Sequence, residues 1–311
     1  MTPAAAGTAI RRRFDDLPAA VRHGVEELLG APVAAAADQS GGFTHGTAAR
    51  LALADGRRVF AKAIRSDDGL AGAYRAEAAC AAALPPATPA PRLRLDAELA
   101  GWLVLVFDDV AGRHPDVTVP AELDALLGAV TRLGRALTPN PLAGAAPAGR
   151  ELAPLMSGWR RFAAAGPPAD LSPWCRRHLD RLAALEEGWA AAVAGDTLLH
   201  ADLRPDNTLL TAAGEVVVVD WACACVGAAW ADLVILLASV PGIDAEAITR
   251  SHPLTHDVPA GAIDAFLCAL AGCWAYESRQ PPLPAAPALR PFQARNAAHT
   301  EAWLARRTGW R

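Results

Sequence analysis

Lysine is almost missing from this chain. Of its 29 basic residues Lys62 is the only lysine, and arginine supplies the rest. Where arginine serves for nearly every cation, Lys62 has two readings. Either the position needs a compact ammonium on a flexible stem, for which a planar guanidinium is no substitute, or its survival is a compositional accident. A basic surplus is lacking too: the net charge of −4 argues against a binder of nucleic-acid backbones, whose affinity rests on clustered cations. No apolar run reaches the roughly 18 residues of a spanning helix, and the stretch 262–276 is interrupted by Asp264. No CxxC spacing occurs among the six cysteines, which read as buried small side chains, a zinc site being the alternative. At the N-terminus Arg11, Arg12 and Arg13 follow a small apolar stretch instead of preceding it, the wrong order for a secretory signal, so the cytoplasm is the expected compartment. What is present suffices for a substantial core. A length of 311 residues suggests two lobes, and 52% hydrophobic residues exclude a disordered chain.

Residues 1–37 read as a helical lead-in, with Leu17, Val21, Val25, Leu28 and Leu29 at helical spacing before Gly30 and Pro32. A glycine-rich turn at 40–46 precedes a hairpin, 49–54 and 58–64 around Asp55-Gly56, which puts Lys62 on the returning strand. An alanine-rich helix is expected over 70–84, carrying Glu77 and ended by the prolines from Pro85 on. Strands follow near 92–96 and 102–107. The remainder reads as helical: 121–137, the region of Trp159, 174–194, 231–240, 259–276 and 293–306. Short strands at 198–200, 207–210 and 216–219 interrupt it, and 281–291 reads as an exposed connection. The expected fold class is α+β, with a small β-rich lobe over 1–110 and a larger helical lobe over 111–311.

Chemistry concentrates in His200-Ala201-Asp202-Leu203-Arg204-Pro205-Asp206-Asn207, a polar loop between apolar runs. Further on, four valines at 216–219 deliver Asp220 at the end of a buried strand. An unpaired carboxylate there is costly, so Asp220 is expected to meet a cation, cap a helix or bind a metal. The oxygens of Asn207 and Asp220 suit Mg²⁺, which takes few protein ligands and completes its shell with water and phosphate. Asp202 is placed to accept a proton from a hydroxyl. Singly, each element has a plainer reading: a glycine-rich turn is usually a hairpin, a helix glutamate usually solvated, and His200 a packed loop organiser. The spacing of Asp202, Asn207 and Asp220 between strands, with one upstream lysine, favours the functional reading.

Together these residues resemble the protein-kinase-like fold, and within it the aminoglycoside phosphotransferase and choline kinase branch. The likeness is carried by the glycine-rich turn, Lys62, Glu77, the His200–Asn207 loop and Asp220 followed by Trp221 and Ala222. It covers residues 35–240 and is strongest in the loop; the segment from Asp220 to Asp232 is too short for a protein-kinase regulatory loop. The resemblance implies ATP or GTP as donor and Mg²⁺ as cofactor. It implies that Lys62 holds the α and β phosphates and pairs with Glu77, that Asp202 acts as base or orients the acceptor hydroxyl, and that Asn207 and Asp220 hold metal. Arg204 would face the transferred phosphate. Phe107 would line the purine pocket, with the backbone of Asp108 and Val110 on the purine edge, and Asp232 would support the catalytic loop. The turn itself departs from a spaced GxGxxG. It is similar to the shorter loop of small-molecule kinases, where Gly41, Gly42, Phe43 and Thr44 would meet phosphate.

The expected partner is a small hydroxylated acceptor, not nucleic acid or membrane. Residues 241–311 carry six acidic residues against seven arginines, and 150–199 carry six of each. That balance favours a neutral or weakly charged acceptor, such as a nucleoside-type antibiotic, a macrolide or a sugar-like metabolite, over a polycation. An aminoglycoside, a choline- or homoserine-type metabolite, and a catalytically silent nucleotide-binding module are the alternatives.

Overall fold

The structure, a computed structural model, describes residues 9–311. Residues 1–8, part of the expected lead-in and of the stretch weighed as a leader, lie outside the described residues. Leu17, Val21 and Val25 are buried along α1 (Ala19–Leu29), which Gly30 ends at φ 71°. The helical lead-in stops there. Residues 33–38 form a strand, β1 (Val33–Asp38), although VAAAAD is a helix-forming composition. Tertiary pairing overrides propensity, because β1 runs antiparallel to β2 (Thr47–Leu53) and closes the edge of a sheet.

That sheet continues through β3 (Arg58–Arg65). The helix α2 (Ala71–Ala83) intervenes before β4 (Leu93–Leu99) and β5 (Trp102–Asp108), in strand order β1-β2-β3-β5-β4. Alternation decides what each face holds. Val59, Ala61 and Ala63 pack toward α1, whereas Phe60 and Ile64 join Leu103, Leu105 and Phe107 on the face covered by α2. Lys62, between Phe60 and Ile64, therefore points into the α2 side.

The sheet ends at Asp108, and β6 (Gly112–Arg113) belongs to a different, three-stranded one. Then come α3 (Pro120–Ala136), α4 (Ala148–Glu151), α5 (Gly158–Ala165), α6 (Pro173–Arg177), α7 (Leu179–Glu187) and α8 (Trp189–Ala192). The single helix expected over 174–194 is thus three pieces, broken at His178 and Gly188. Four short strands follow: β7 (Thr197–Leu199), β8 (Thr208–Thr211), β9 (Val216–Val218) and β10 (Cys225–Gly227), which the sequence reading missed. The chain closes with α9 (Trp230–Ala238), α10 (Ala245–Ser251), α11 (Ala260–Glu277) and α12 (Leu289–Thr308). Helix α11 is the core pillar: Phe266, Leu267 and Ala269 are fully buried, and it packs against α5, α7, α8, α9 and α12. Fully burying a side chain such as Phe266 contributes about 1.5–3 kcal/mol. Five of the six cysteines are buried as expected; Cys223 is exposed in the segment after Asp220. Among the described residues, no helix is long and apolar enough to cross a membrane.

Candidate active site

Lys62 is the hinge of the site's electrostatics. Its Nζ donates to Glu77 Oε1 at 2.8 Å and Oε2 at 2.7 Å, and to Asp220 Oδ1 at 2.9 Å. Glu77 is 3% exposed, so it is a buried partner and not a solvated helix residue. Burial alone would discharge the ammonium, but Asp220 and Glu77 outweigh it and hold Lys62 well above its ordinary pKa. Lys62 in turn holds the Asp220 carboxyl down to about 2. Asp220 sits at φ 68°, a left-handed conformation costly for a residue with a Cβ. It lies two residues past the end of β9, whose register with β8 pairs Val218 with Thr208, and the intervening Val219 N–H donates to Asn207 O at 2.9 Å. The carboxylates of the post-strand position and the amide of Asn207 are thereby set side by side.

The loop joining β7 to β8 is pinned from behind. Asp232, 4% exposed on α9, accepts the N–H of His200 and of Ala201, both at 2.8 Å. Those bonds hold Ala201 at φ 60°, the second strained residue of the site. His200 Nδ1 accepts Asp202 N–H at 3.2 Å, so the proton is on Nε2, which donates to Val219 O at 3.0 Å. Its ring packs edge-on against Trp221, and the fully buried histidine organises the loop. Asp202 and Asp206 share Arg204: its Nη1 pairs with Asp202, and its Nε is 3.0 Å from Asp206 Oδ1. Asn207 Nδ2 donates to Asp202 O at 2.8 Å and to Asp202 Oδ2 at 3.0 Å, which leaves its Oδ1 as a free acceptor. Withdrawal from water pushes the Asp202 carboxyl up, against the pull of Arg204.

A cleft of about 210 Å³ lies between the sheet and the helical region, lined by Gly41, Gly42, Lys62, Phe107, Asn207 and Asp220 among others. Asp108 and Val110 also line it. Asp108 N–H is spent on Arg92 O at 3.0 Å, and Val110 O accepts Arg50 Nη2 at 3.0 Å. The Val110 N–H makes no backbone bond among the described residues. Phe43 and Thr44 do not line this cleft. The Phe43 ring turns outward to Phe292 of α12, 5.0 Å between centroids, and the Arg204 guanidinium lies 6.0 Å and 5.2 Å from the two rings. Gly46 permits the turn to close on α2, since a Cβ there would meet Tyr74 Oη at 2.0 Å. Sequence reasoning missed Arg11, Tyr74, Asp206 and Phe292. Of these only Asp206 carried a local signal, two residues from Arg204 in the same loop.

This arrangement is the two-lobed kinase-like fold, and solved structures share it. The chain is similar to aminoglycoside phosphotransferase APH(4)-Ia, solved as a thermostable mutant with ADP and hygromycin B (16% identity, TM-score 0.64, covering 94% of this chain and all of that one). It is also similar to choline kinase LicA from Streptococcus pneumoniae (15%, 0.63, 92% and 97%). A putative fructosamine-3-kinase from Thermobifida fusca YX-ER1 is a third likeness (21%, 0.56, 91% and 98%). No curated protein matches the chain. The profile of the phosphotransferase enzyme family matches residues 40–252, more than half of the chain, and the protein belongs to that family. It is an enzyme of the small-molecule kinase class.

Proposed function

We propose that this phosphotransferase moves the γ-phosphate of ATP to a hydroxyl of a small, neutral or weakly charged molecule. The observation that carries this reading is the convergence of Lys62, Glu77, Asp220 and Asn207 on one cleft, with Asp202 hydrogen-bonded to Asn207 beside it. Lys62 sits where it can hold α and β phosphates, kept charged and aimed by Glu77 and Asp220. The Val110 N–H would offer a donor to a ring nitrogen of the purine; GTP is the alternative phosphate donor. Asn207 Oδ1 and the second oxygen of Asp220 are two hard donors, too few for an all-protein cage but suited to Mg²⁺, which would neutralise phosphate charge there. Asp202, whose carboxyl is pushed up by its withdrawal from water, would orient the acceptor hydroxyl and take its proton. Arg204 faces the transferred phosphate while neutralising Asp202 and Asp206.

Placement sharpens the acceptor argument beyond bulk counts. Five of the six carboxylates of 241–311 are engaged within the chain: Asp244 caps α10, Asp264 and Glu246 pair with Arg307, Glu277 with Arg290, and Glu301 accepts from Ser172, while Asp257 stands exposed beside His256. Little free negative charge is left in that segment for a polycation. An antibiotic, as in resistance or self-protection, fits such an acceptor, and a cytoplasmic site of action goes with this reading. A panel of hydroxylated antibiotics and metabolites, assayed for nucleoside diphosphate release with ATP and with GTP, tests it. Turnover only with polycationic aminoglycosides would overturn the acceptor class, and turnover undiminished in Asp202→Asn would overturn the mechanism.

A further inference from the structure

We propose that Arg11 is a second cationic contact for the nucleotide's polyphosphate, delivered to the cleft from outside the family-matched residues 40–252. The inference rests on the reading of the cleft as the nucleotide site. Arg11 belongs to an extended segment laid beneath the glycine-rich turn. Ala9 N–H donates to Gly42 O at 3.2 Å and Ile10 N–H to Ala285 O at 2.9 Å, so the segment touches both regions that border the cleft. On its other side it is anchored by Phe14, which is buried in the sheet core and whose N–H donates to Asp38 Oδ1 at 2.8 Å. The backbone thus fixes Arg11 between two tethers, and its side chain lines the cleft together with Lys62, Gly41, Gly42 and Asp220.

The guanidinium is only partly spent. Nη1 donates to Gly46 O at 3.0 Å and Nη2 to Gly41 O at 2.6 Å, the two ends of the turn. These bonds cover the negative ends of two carbonyl dipoles that would otherwise face an incoming anion. Three of its five N–H groups remain, and Nε is buried with no partner among the described residues. Arg11 forms no ion pair among the described residues, unlike Lys62 and Arg204. A withdrawn, always-protonated fork with spare donors and no carboxylate in direct ion-pair contact among the described residues matches phosphate oxygens, which it can take in bidentate fashion. Gly42 at φ 84° keeps the approach open, since a Cβ there would stand 2.8 Å from Arg11 Nη2.

Calorimetric binding of ATP, ADP and adenosine to the full chain and to Arg11→Gln, Arg11→Lys and Arg11→Ala tests this, with thermal unfolding of each variant as a check on the fold. Arg11→Gln keeps a donor for a turn carbonyl but removes the charge. Its ATP affinity should fall roughly tenfold to a hundredfold, as for loss of a hydrogen bond to a charged group. Adenosine affinity should stay within about twofold, and the salt dependence of ATP binding should become shallower. Arg11→Lys should lie between, and Arg11→Ala should match or exceed the Gln variant. Equal losses for adenosine and ATP would reduce Arg11 to a shaper of the turn and overturn the proposal, as would unchanged ATP affinity in both neutral variants. Failure of the unaltered chain to bind ATP would instead overturn the assignment of the cleft.

Discussion

Two loops face each other across the cleft, and they are held in different ways. The loop from His200 to Asn207 is fastened from within its own lobe: Asp232 takes two of its N–H groups, His200 bridges to Val219, and Asn207 ties back to Asp202. The glycine-rich turn at 40–46 is fastened by side chains far away in the chain, Arg11 on one side and Phe292 on the other. A loop that must place a proton acceptor within a fraction of an ångström gains from buried, charge-assisted bonds. A loop that must admit and release a nucleotide gains from contacts that open at small cost.

The largest expected effect belongs to the rigid loop. Asp202→Asn should lower turnover by on the order of 10²–10⁴ while nucleotide affinity stays within a few-fold, measured by steady-state rates and calorimetry. Turnover near that of the unaltered enzyme would remove Asp202 from the chemistry. Lys62→Arg comes next: charge is preserved, but a guanidinium cannot sit between Glu77 and Asp220 as the ammonium does. A loss on the order of 10²-fold in kcat/KM is expected, comparable to removing one preorganised donor. Wild-type rates in that variant would make the lone lysine a compositional accident.

The fastening itself is tested by Asp232→Ala, which leaves two buried N–H groups without an acceptor. Chemical denaturation should show a loss of about 2–6 kcal/mol, from about 1–3 kcal/mol for each of the two unsatisfied groups. Phe292→Ala should do much less to global stability. It removes an aromatic pair of about 0.5–1.5 kcal/mol, so amide exchange in 40–46 should quicken up to about tenfold while that of 200–207 stays unchanged. Equal quickening in both loops would dissolve the distinction between them. Smallest of all, the acceptor's KM at saturating nucleotide should stay nearly flat as ionic strength rises, because a neutral acceptor has no exposed charge pairs to screen. A steep rise would bring a polycationic acceptor back.

The same contrast explains what could be read from the sequence. The rigid loop is contiguous, so Asp202, Arg204 and Asn207 announced themselves together, and Lys62 stood out against its arginine background. Phe107 was named only through the resemblance; the register of β3 with β5 is what puts it on the same face as Lys62. The restraints on the glycine-rich turn were illegible because their partners are remote: Arg11 lies 35 residues from Gly46, and Phe292 pairs with a ring in the opposite lobe. Phe43 accordingly appeared as a phosphate-loop residue, whereas its ring packs on Phe292 and Arg204. Strand β1 was hidden by alanines whose local preference is helical, and the breaks at His178 and Gly188 carry no proline to mark them.

The nine residues between Asp220 and α9, Trp-Ala-Cys-Ala-Cys-Val-Gly-Ala-Ala, contain not one hydroxyl. Trp221 is buried against His200, and Cys225–Gly227 pairs with β7, so the segment is short and committed to the core. With the bond from Lys62 to Glu77 already made, covalent modification by phosphate has nothing to act on here and no misaligned pair to correct. Output would then follow the supply of donor and acceptor and the number of enzyme copies.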